Sequence, residues 1–315
     1  MFCFGSNRET KKVVIRPHII DGDGFDLLVT SCKPGSNDLV MEGFWSDADS
    51  SMADALPDLV RQYDLKRHSC AVVLPHNSYS HFTLNKPNIP HAEIRQSLPW
   101  VAQERLESMS YHTPALDSCL ASELLEGKEH NKIHVFVTEE SHVRSCVANV
   151  NASGLKVDMV TVHELAATSF ISNWSQDALV AYVDMPSNEA SSLILVLNGQ
   201  FVAYKKLPTI NLDATVDLQH DQFNLFWAEM ARYINYYLGC LSQKYPLKFY
   251  MSGEAWQNLQ QSGLFKNVFK EHFLSASYFG GVDLSDILDV KGIEPSILKV
   301  LQHDLLGGAL MYEHD

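Results

Sequence analysis

The feature that most constrains the fold is a pattern of strands and helices that occurs twice along the chain. The first copy opens with two β-rich runs, residues 13–20 and 25–32, joined by an Asp-Gly turn, and continues into alternating helices and strands. The second copy begins near Asp177, where Asn198-Gly199 joins two apolar runs. Asn-Gly between apolar runs favours a hairpin because both residues accept a positive φ. The sequence therefore predicts an α/β chain with a tandem duplication in two lobes.

The composition is that of an acidic globular protein. The chain has 315 residues, of which 46% are hydrophobic, enough for two lobes with cores of their own. Its formal net charge of −14 repels a phosphate backbone, so nucleic acid is not an expected partner. No run reaches about 18 apolar residues, so direct membrane insertion is not expected. The six cysteines form no C-x-x-C pair and the histidines are dispersed, so no metal site is predicted.

One segment of the first half carries more specific sequence detail. Residues 70–75 form a buried-type strand ending in Leu-Pro, residues 87–90 form a rigid Pro-rich link, and residues 93–104 form an amphipathic helix with an aromatic side chain and an acidic end. This order resembles the inserted subdomain of the PilM family of type IV pilus biogenesis. Residues 154–166 and 248–253 resemble later segments of the same family.

The resemblance covers about residues 10–311 and implies an actin-like, ribonuclease H-like fold with a trimmed second lobe. The first lobe would comprise residues 1–172, with the inserted subdomain at about 68–130, and the second lobe residues 173–315. Chain length, acidity and altered motifs resemble the branch of the family that serves mannose-sensitive haemagglutinin (MSHA) pili. The cytoplasmic domain of the secretion protein GspL is a related possibility.

Actin-like proteins hold ATP between their lobes on glycine-rich turns that follow strands, and here those turns are altered. The candidate first turn, residues 4–7, has no acidic residue before its glycine. In the second turn Asp184 is followed by Met185 and then by Pro186, which has no N–H to donate to a phosphate. In the third turn Gly253 is followed by Glu254, whose carboxylate would repel a polyphosphate. These residues predict a degenerate cleft without ATP or magnesium; an ATP-binding or ATP-hydrolysing protein is the alternative.

The sequence contains no nucleophile elbow, P-loop or zincin motif, so no catalytic residue is predicted and the chain is not expected to be an enzyme. The resemblance implies instead a cytoplasmic scaffold that binds the N-terminal cytoplasmic tail of an inner-membrane pilus assembly protein. Such a tail would lie in a groove between the first subdomain and the insert. The candidate contact residues are Leu74, Pro75, Ile94, Leu98, Trp100 and Val101.

For each of these six residues, ordinary core packing is the alternative. Trp100 is the strongest candidate because aromatic side chains contribute most to interface energetics. The acidity of the chain suits a tail that carries Lys or Arg close to the membrane.

Overall fold

The structure, a computed structural model, describes residues 11–18, 24–32, 39–120, 124–186, 190–208, 216–253, 256 and 276–281. Two five-stranded sheets dominate it. In spatial order the first sheet contains β3 (Leu39–Asp47), β2 (Phe25–Cys32), β1 (Lys11–Pro17), β4 (Ser69–Leu74) and β8 (Lys156–Val162). The second contains β11 (Gln200–Lys206), β10 (Ser192–Leu197), β9 (Leu179–Asp184), β12 (Leu247–Ser252) and β13 (Ala276–Gly281).

The two sheets share one topology. In each, three strands form an antiparallel meander, and the fourth and fifth strands run parallel to the first. Strands β9 and β10 are buried along nearly their whole length, which matches their continuous apolar sequence. The repeated topology confirms the tandem duplication expected from the two hairpins.

Helices cover the sheets and join the lobes. The helices of the two lobes are α1 (Met52–Gln62), α4 (Glu140–Ala152), α5 (His163–Ile171) and α6 (Val216–Gly239). Helix α6 buries Phe226, Trp227 and Met230 in the core of the second lobe. Helix α5 buries Phe170 in a cluster shared by both sheets, so the lobes pack against each other around it. None of the described helices has the length and hydrophobicity needed to span a membrane.

A third sheet is inserted between β4 and β8. Its antiparallel strands are, in spatial order, β5 (Ser80–Asn85), β7 (Lys132–Glu139) and β6 (Pro114–Leu120), and two helices, α2 (His91–Val101) and α3 (Gln103–Glu107), belong to the same insert. The predicted insert at 68–130 therefore included β4, which pairs in the first sheet, and stopped short of β7, the central strand of the inserted sheet.

Two prolines lie inside helices without ending them. Pro57 is in the second turn of α1, whose start is fixed by Ser51: its Oγ accepts a hydrogen bond from the Asp54 N–H at 3.3 Å. Pro99 is near the end of α2, and the helix predicted over residues 93–104 is interrupted three residues later, at Ala102. The sequence also predicts helices over residues 253–261 and 297–311, which lie outside the described residues apart from Gly253 and Trp256.

Candidate functional site

The ends of equivalent strands can be matched between the two lobes. Pro17 pairs with Phe25 and Asp184 pairs with Ser192, and in each case the partner is the first residue of the next strand. Pro17 therefore holds in the first lobe the place of Asp184 in the second. The candidate first turn at residues 4–7 precedes β1 in the sequence and lies outside the described residues.

The carboxylate of Asp184 is held by neighbouring protein groups. The Ser252 hydroxyl donates to Asp184 Oδ1 at 2.7 Å and lies 2.8 Å from the Tyr182 hydroxyl. On the other side, His163 Nε2 lies 4.0 Å from Asp184 Oδ2. Asp184, the acidic residue predicted at the nucleotide site, thus belongs to a polar network. It is bonded to Ser252 in the second lobe and lies near His163 at the start of α5.

The turns after β9 and β12 touch backbone to backbone. The Met185 N–H donates to the Ser252 carbonyl at 3.0 Å. Gly253 has φ +92°, and a Cβ at this position would lie 2.3 Å from the Met185 carbonyl oxygen, so only glycine fits. Pro186 has no N–H, and that of Met185 is already used, so neither residue offers a backbone donor to a phosphate. Glu254 lies outside the described residues.

A buried polar cluster lies where the insert meets α5. Glu164, fully buried in the first turn of α5, accepts a hydrogen bond from the Tyr79 hydroxyl at 2.6 Å, and His76 Nδ1 lies 3.5 Å from its other oxygen. The His76 and His163 rings pack with their centroids 4.2 Å apart. Burial raises the pKa of both Glu164 and Tyr79. The partners of Glu164 are distant along the chain, so no local sequence pattern points to this cluster.

A second buried contact joins the insert to β11. The His81 and His134 rings stack, with His81 Nε2 3.0 Å from His134 Nδ1, and they pack edge-on against Tyr204 and Phe201, respectively. Burial lowers the pKa of His81 to about 4 and that of His134 to about 3. His134 lies inside β7, in agreement with the strand that the sequence predicts over residues 133–138. Within the described ranges, no group of three or more His, Cys, Asp or Glu side chains is placed to hold a metal ion.

A third contact ties the insert to the end of α6. Leu125 is buried in the core of the second lobe and forms a β-bridge with Leu241. Nearby, Tyr236 and Tyr237 each direct a hydroxyl to a carboxylate oxygen of Glu129, at 3.0 and 3.3 Å. The insert thus belongs to the first lobe by sequence and contacts the second lobe at two separate places.

A groove of about 180 Å³ separates the insert from the first sheet. Its lining is mostly apolar and includes Leu74, Phe136, Val143 and Leu165. Leu74 is the one residue of the six predicted partner contacts that lines this groove. The groove lies between the first sheet and the insert, the region where the family resemblance implies a bound tail.

The other five predicted contacts lie elsewhere. Ile94 and Leu98 pack in the core of the insert, where a bound segment could reach them only by opening that core. Pro75 is buried directly after Leu74. Trp100, with 78% of its surface exposed, and Val101 lie on the outer face of α2, outside the groove lining. Helical spacing thus identified an apolar stripe, but that stripe faces the core of the insert.

Comparison with known proteins finds similarity of structure without detectable similarity of sequence. No protein-family model matches the chain, and no curated protein sequence matches it. A chain of the PilM–PilN type IV pilus biogenesis complex aligns with a TM-score of 0.65 and 14% identity, over 96% of this chain and 98% of that one. Together with the repeated sheet topology, this confirms the predicted two-lobed actin-like fold.

Two further solved structures are more distant. The cytoplasmic domain of EpsL, an inner-membrane component of the type II secretion system of Vibrio cholerae, aligns with a TM-score of 0.47 and 13% identity, over 82% of this chain and 98% of that one. A Bacteroides thetaiotaomicron protein of actin-like ATPase fold and unknown function aligns with a TM-score of 0.49 and 9% identity, over 96% and 100%. At these identities the likeness concerns the fold alone.

Proposed function

We propose that this chain is a non-catalytic scaffold of a type IV pilus biogenesis machine. It would lie at the cytoplasmic face of the inner membrane and bind the N-terminal cytoplasmic tail of an inner-membrane assembly protein. The observation that carries the proposal is the apolar groove between the first sheet and the insert. The likeness in fold to a chain of the PilM–PilN complex, over nearly the full length of both chains, supports it.

The finer assignment is to the mannose-sensitive haemagglutinin pilus, whose member of the PilM-like group is MshI. It rests on the sequence: the chain length, the net charge of −14, and the proline that follows Asp184. The same negative charge favours a tail with Lys or Arg beside its apolar anchors, since complementary charge speeds encounter and orients the partner.

The geometry of the interlobe turns supports a scaffold rather than an ATPase. Asp184 is held by Ser252, and the N–H of Met185 donates to a carbonyl. Phosphate binding in such turns depends on several free N–H groups that converge on the oxygens, and Pro186 supplies none. The proposal therefore includes a cleft that neither binds nor hydrolyses nucleotide.

Tail binding is tested by fluorescence anisotropy with labelled peptides that copy the cytoplasmic tails of the inner-membrane pilus proteins of the same bacterium. Val143 lines the groove from α4, whereas Ala148 lies on an exposed position of the same helix. We expect saturable binding of one tail, lost in Val143→Lys and kept in Ala148→Lys, which adds the same charge. Equal loss in both variants, or no binding of any tail, would contradict the proposal.

Nucleotide binding is tested separately by thermal unfolding with MgATP or MgADP up to millimolar concentrations. A ligand at 100 times its Kd would add about 2.7 kcal/mol to the free energy of unfolding. We expect no shift for the wild type or for Pro186→Gly. A magnesium-dependent shift would overturn the inactive cleft and favour a nucleotide-regulated assembly factor, without affecting the result for the tail.

A further inference from the structure

One carboxyl group joins three parts of the chain. Glu164 is carried by α5 and has no exposed surface. The Tyr79 hydroxyl, in the segment that leads into the insert, donates to its Oε2 at 2.6 Å. From β11 of the second lobe, the Tyr204 hydroxyl faces the same carboxyl group. The insert and the second lobe therefore both contact α5 through this one side chain.

The surroundings of Glu164 fit a neutral carboxyl group better than a carboxylate. Its Oε1 is buried and makes no hydrogen bond within the described part of the chain, and His76 Nδ1 lies 3.5 Å from it. A buried carboxylate carries charge on both oxygens and is costly unless donors reach both. A protonated carboxyl group has no net charge, and its O–H can point at an imidazole nitrogen. This geometry favours a proton on Oε1.

The groups around Glu164 supply little positive charge. Among the described residues, no Lys or Arg side chain forms an ion pair with it. Burial raises the pKa of Glu164, and the facing His163 opposes this without cancelling it. His163 is also shared with Asp184, whose Oδ2 lies 4.0 Å from its Nε2. The titratable side chains that face the carboxyl group are Tyr79, His163 of α5, Tyr204 of β11, His76 after β4 and Cys119 of β6.

We propose that Glu164 is a proton-dependent latch, a contact that holds α5, the insert and the second lobe together only while its carboxyl group is neutral. With Oε1 protonated, the group stays buried and the three parts remain in contact. When that proton passes to solvent, the carboxylate needs water, and the parts separate around Tyr79 and Tyr204 to admit it. This opening requires neither a nucleotide nor a bound tail.

The direction of the pH dependence follows from the two states of the junction. In the closed state burial raises the pKa of Glu164, whereas in the open state the carboxyl group is in water, where its pKa has the ordinary value of 4.5. Between these two pKa values, opening releases one proton. The ratio of open to closed molecules therefore rises by up to about tenfold per pH unit and levels off above the pKa of the closed state.

The inference is tested by amide hydrogen exchange at His163, measured by NMR. The His163 N–H starts α5 without a partner inside the helix and bonds to the Tyr79 hydroxyl, so it exchanges when Tyr79 leaves the junction. Glu164→Gln keeps the size of the side chain and has no proton to lose. We expect the exchange rate of the wild type, divided by that of Glu164→Gln at the same pH, to rise from pH 5 to pH 7 by up to about tenfold per pH unit. This ratio cancels intrinsic exchange and the titration of His81 and His134, which both proteins share.

Glu140→Gln is the matched control. Glu140 also lies in the first turn of a helix, α4, but its side chain is 38% exposed and pairs with Arg144. The ratio of the wild type to this variant should stay constant with pH. The amides of Val13–Ile15, in the central strand of the first sheet, report unfolding of the first lobe, and their ratio should stay constant in both comparisons.

A second measurement uses the wild type alone. The ¹³C shift of the Glu164 carboxyl group should titrate with a midpoint above that of Glu140, and a midpoint at or below it would overturn the inference, because the buried group would then be ionised. A constant ratio at His163 would overturn it as well. An equal rise at Val13–Ile15 would also overturn it, because Glu164 would then stabilise the whole first lobe rather than the junction.

Discussion

The two lobes share a sheet topology and differ in the residues at the ends of equivalent strands. In the first lobe, β1 and β4 end in Pro17 and Leu74; in the second, β9 and β12 end in Asp184 and Ser252. The first pair is apolar, and Leu74 lines the groove, whereas the second pair forms a hydrogen bond between neighbouring strands of the second sheet. The duplicated framework therefore specifies where strand ends lie, and the residue at each end decides what that position can contact.

The largest loss of stability is expected at Gly253, where the second lobe cannot accept a residue with a side chain, although the first lobe has Pro75 at the equivalent position. Pro75 follows Leu74 as Gly253 follows Ser252, but Gly253 has positive φ and no space for a Cβ. We expect Gly253→Ala to lower the free energy of unfolding by about 3 kcal/mol or more, from the strained backbone and the clash with Met185. Urea unfolding measures the loss.

Gly127→Ala is the control for that variant. Gly127 also has positive φ, +66°, but a Cβ there would meet nothing within 4 Å. It should therefore show the backbone cost alone, about 1 kcal/mol. If the two variants were equally destabilised, the contact between the turns after β9 and β12 would not matter to stability.

The next largest loss of stability is expected when Leu125, which packs the insert against the second lobe, is shortened. We expect Leu125→Ala to cost about 3 kcal/mol, the usual range for a buried leucine. Because the bridge to Leu241 depends on this packing, amide hydrogen exchange should rise at residues 124–131 and stay unchanged in β1. Equal increases in both regions would mean that the insert and the lobes unfold together.

A smaller effect is expected from acid acting on the stacked histidines. With pKa values of about 4 and about 3, His81 and His134 stay neutral in the folded protein, whereas in the unfolded chain they gain protons below pH 6.5. Their contribution to stability is therefore complete above pH 6.5 and is lost as the pH falls toward 4. We expect each histidine to contribute a loss of about 2 kcal/mol between pH 7 and pH 5, measured by urea unfolding.

His134→Gln should reduce that loss, whereas the same change at His130, which is exposed, should leave it intact. Glu164 acts in the opposite sense, because its raised pKa stabilises the protonated native form and this contribution disappears as the pH rises through its folded pKa. A wild type whose stability increased from pH 7 to pH 5 would mean that Glu164 outweighs the histidines.

The smallest effect is expected at the exposed face of α2. Trp100→Ala should change the free energy of unfolding by no more than about 0.5 kcal/mol, since the side chain is largely in solvent. It should also leave tail affinity unchanged if the groove is the whole site. A loss of affinity above threefold would extend the interface from the groove to α2.

Local sequence signals were sufficient for the parts of the fold that depend on neighbouring residues. The hairpin at Asn198-Gly199 agrees with the structure, and so does the helix that the sequence predicts over residues 163–171, because helical spacing and turn chemistry are encoded in short windows. Strands β5 and β6 were missed: they are half-exposed and carry polar residues on both faces. The contacts of Glu164 with Tyr79 and of Leu125 with Leu241 bring together residues far apart in the chain, which no local pattern predicts.

The attachment of the insert to both lobes has a mechanical consequence. A tail seated between β8 and the insert would be pulled whenever its membrane protein moved. The insert is covalently continuous with the first lobe and holds the second through Leu125 and Glu129, so tension on the tail would divide between two load paths. The two lobes would then move together, and the protein would transmit the force as a rigid body without separating the lobes at α5.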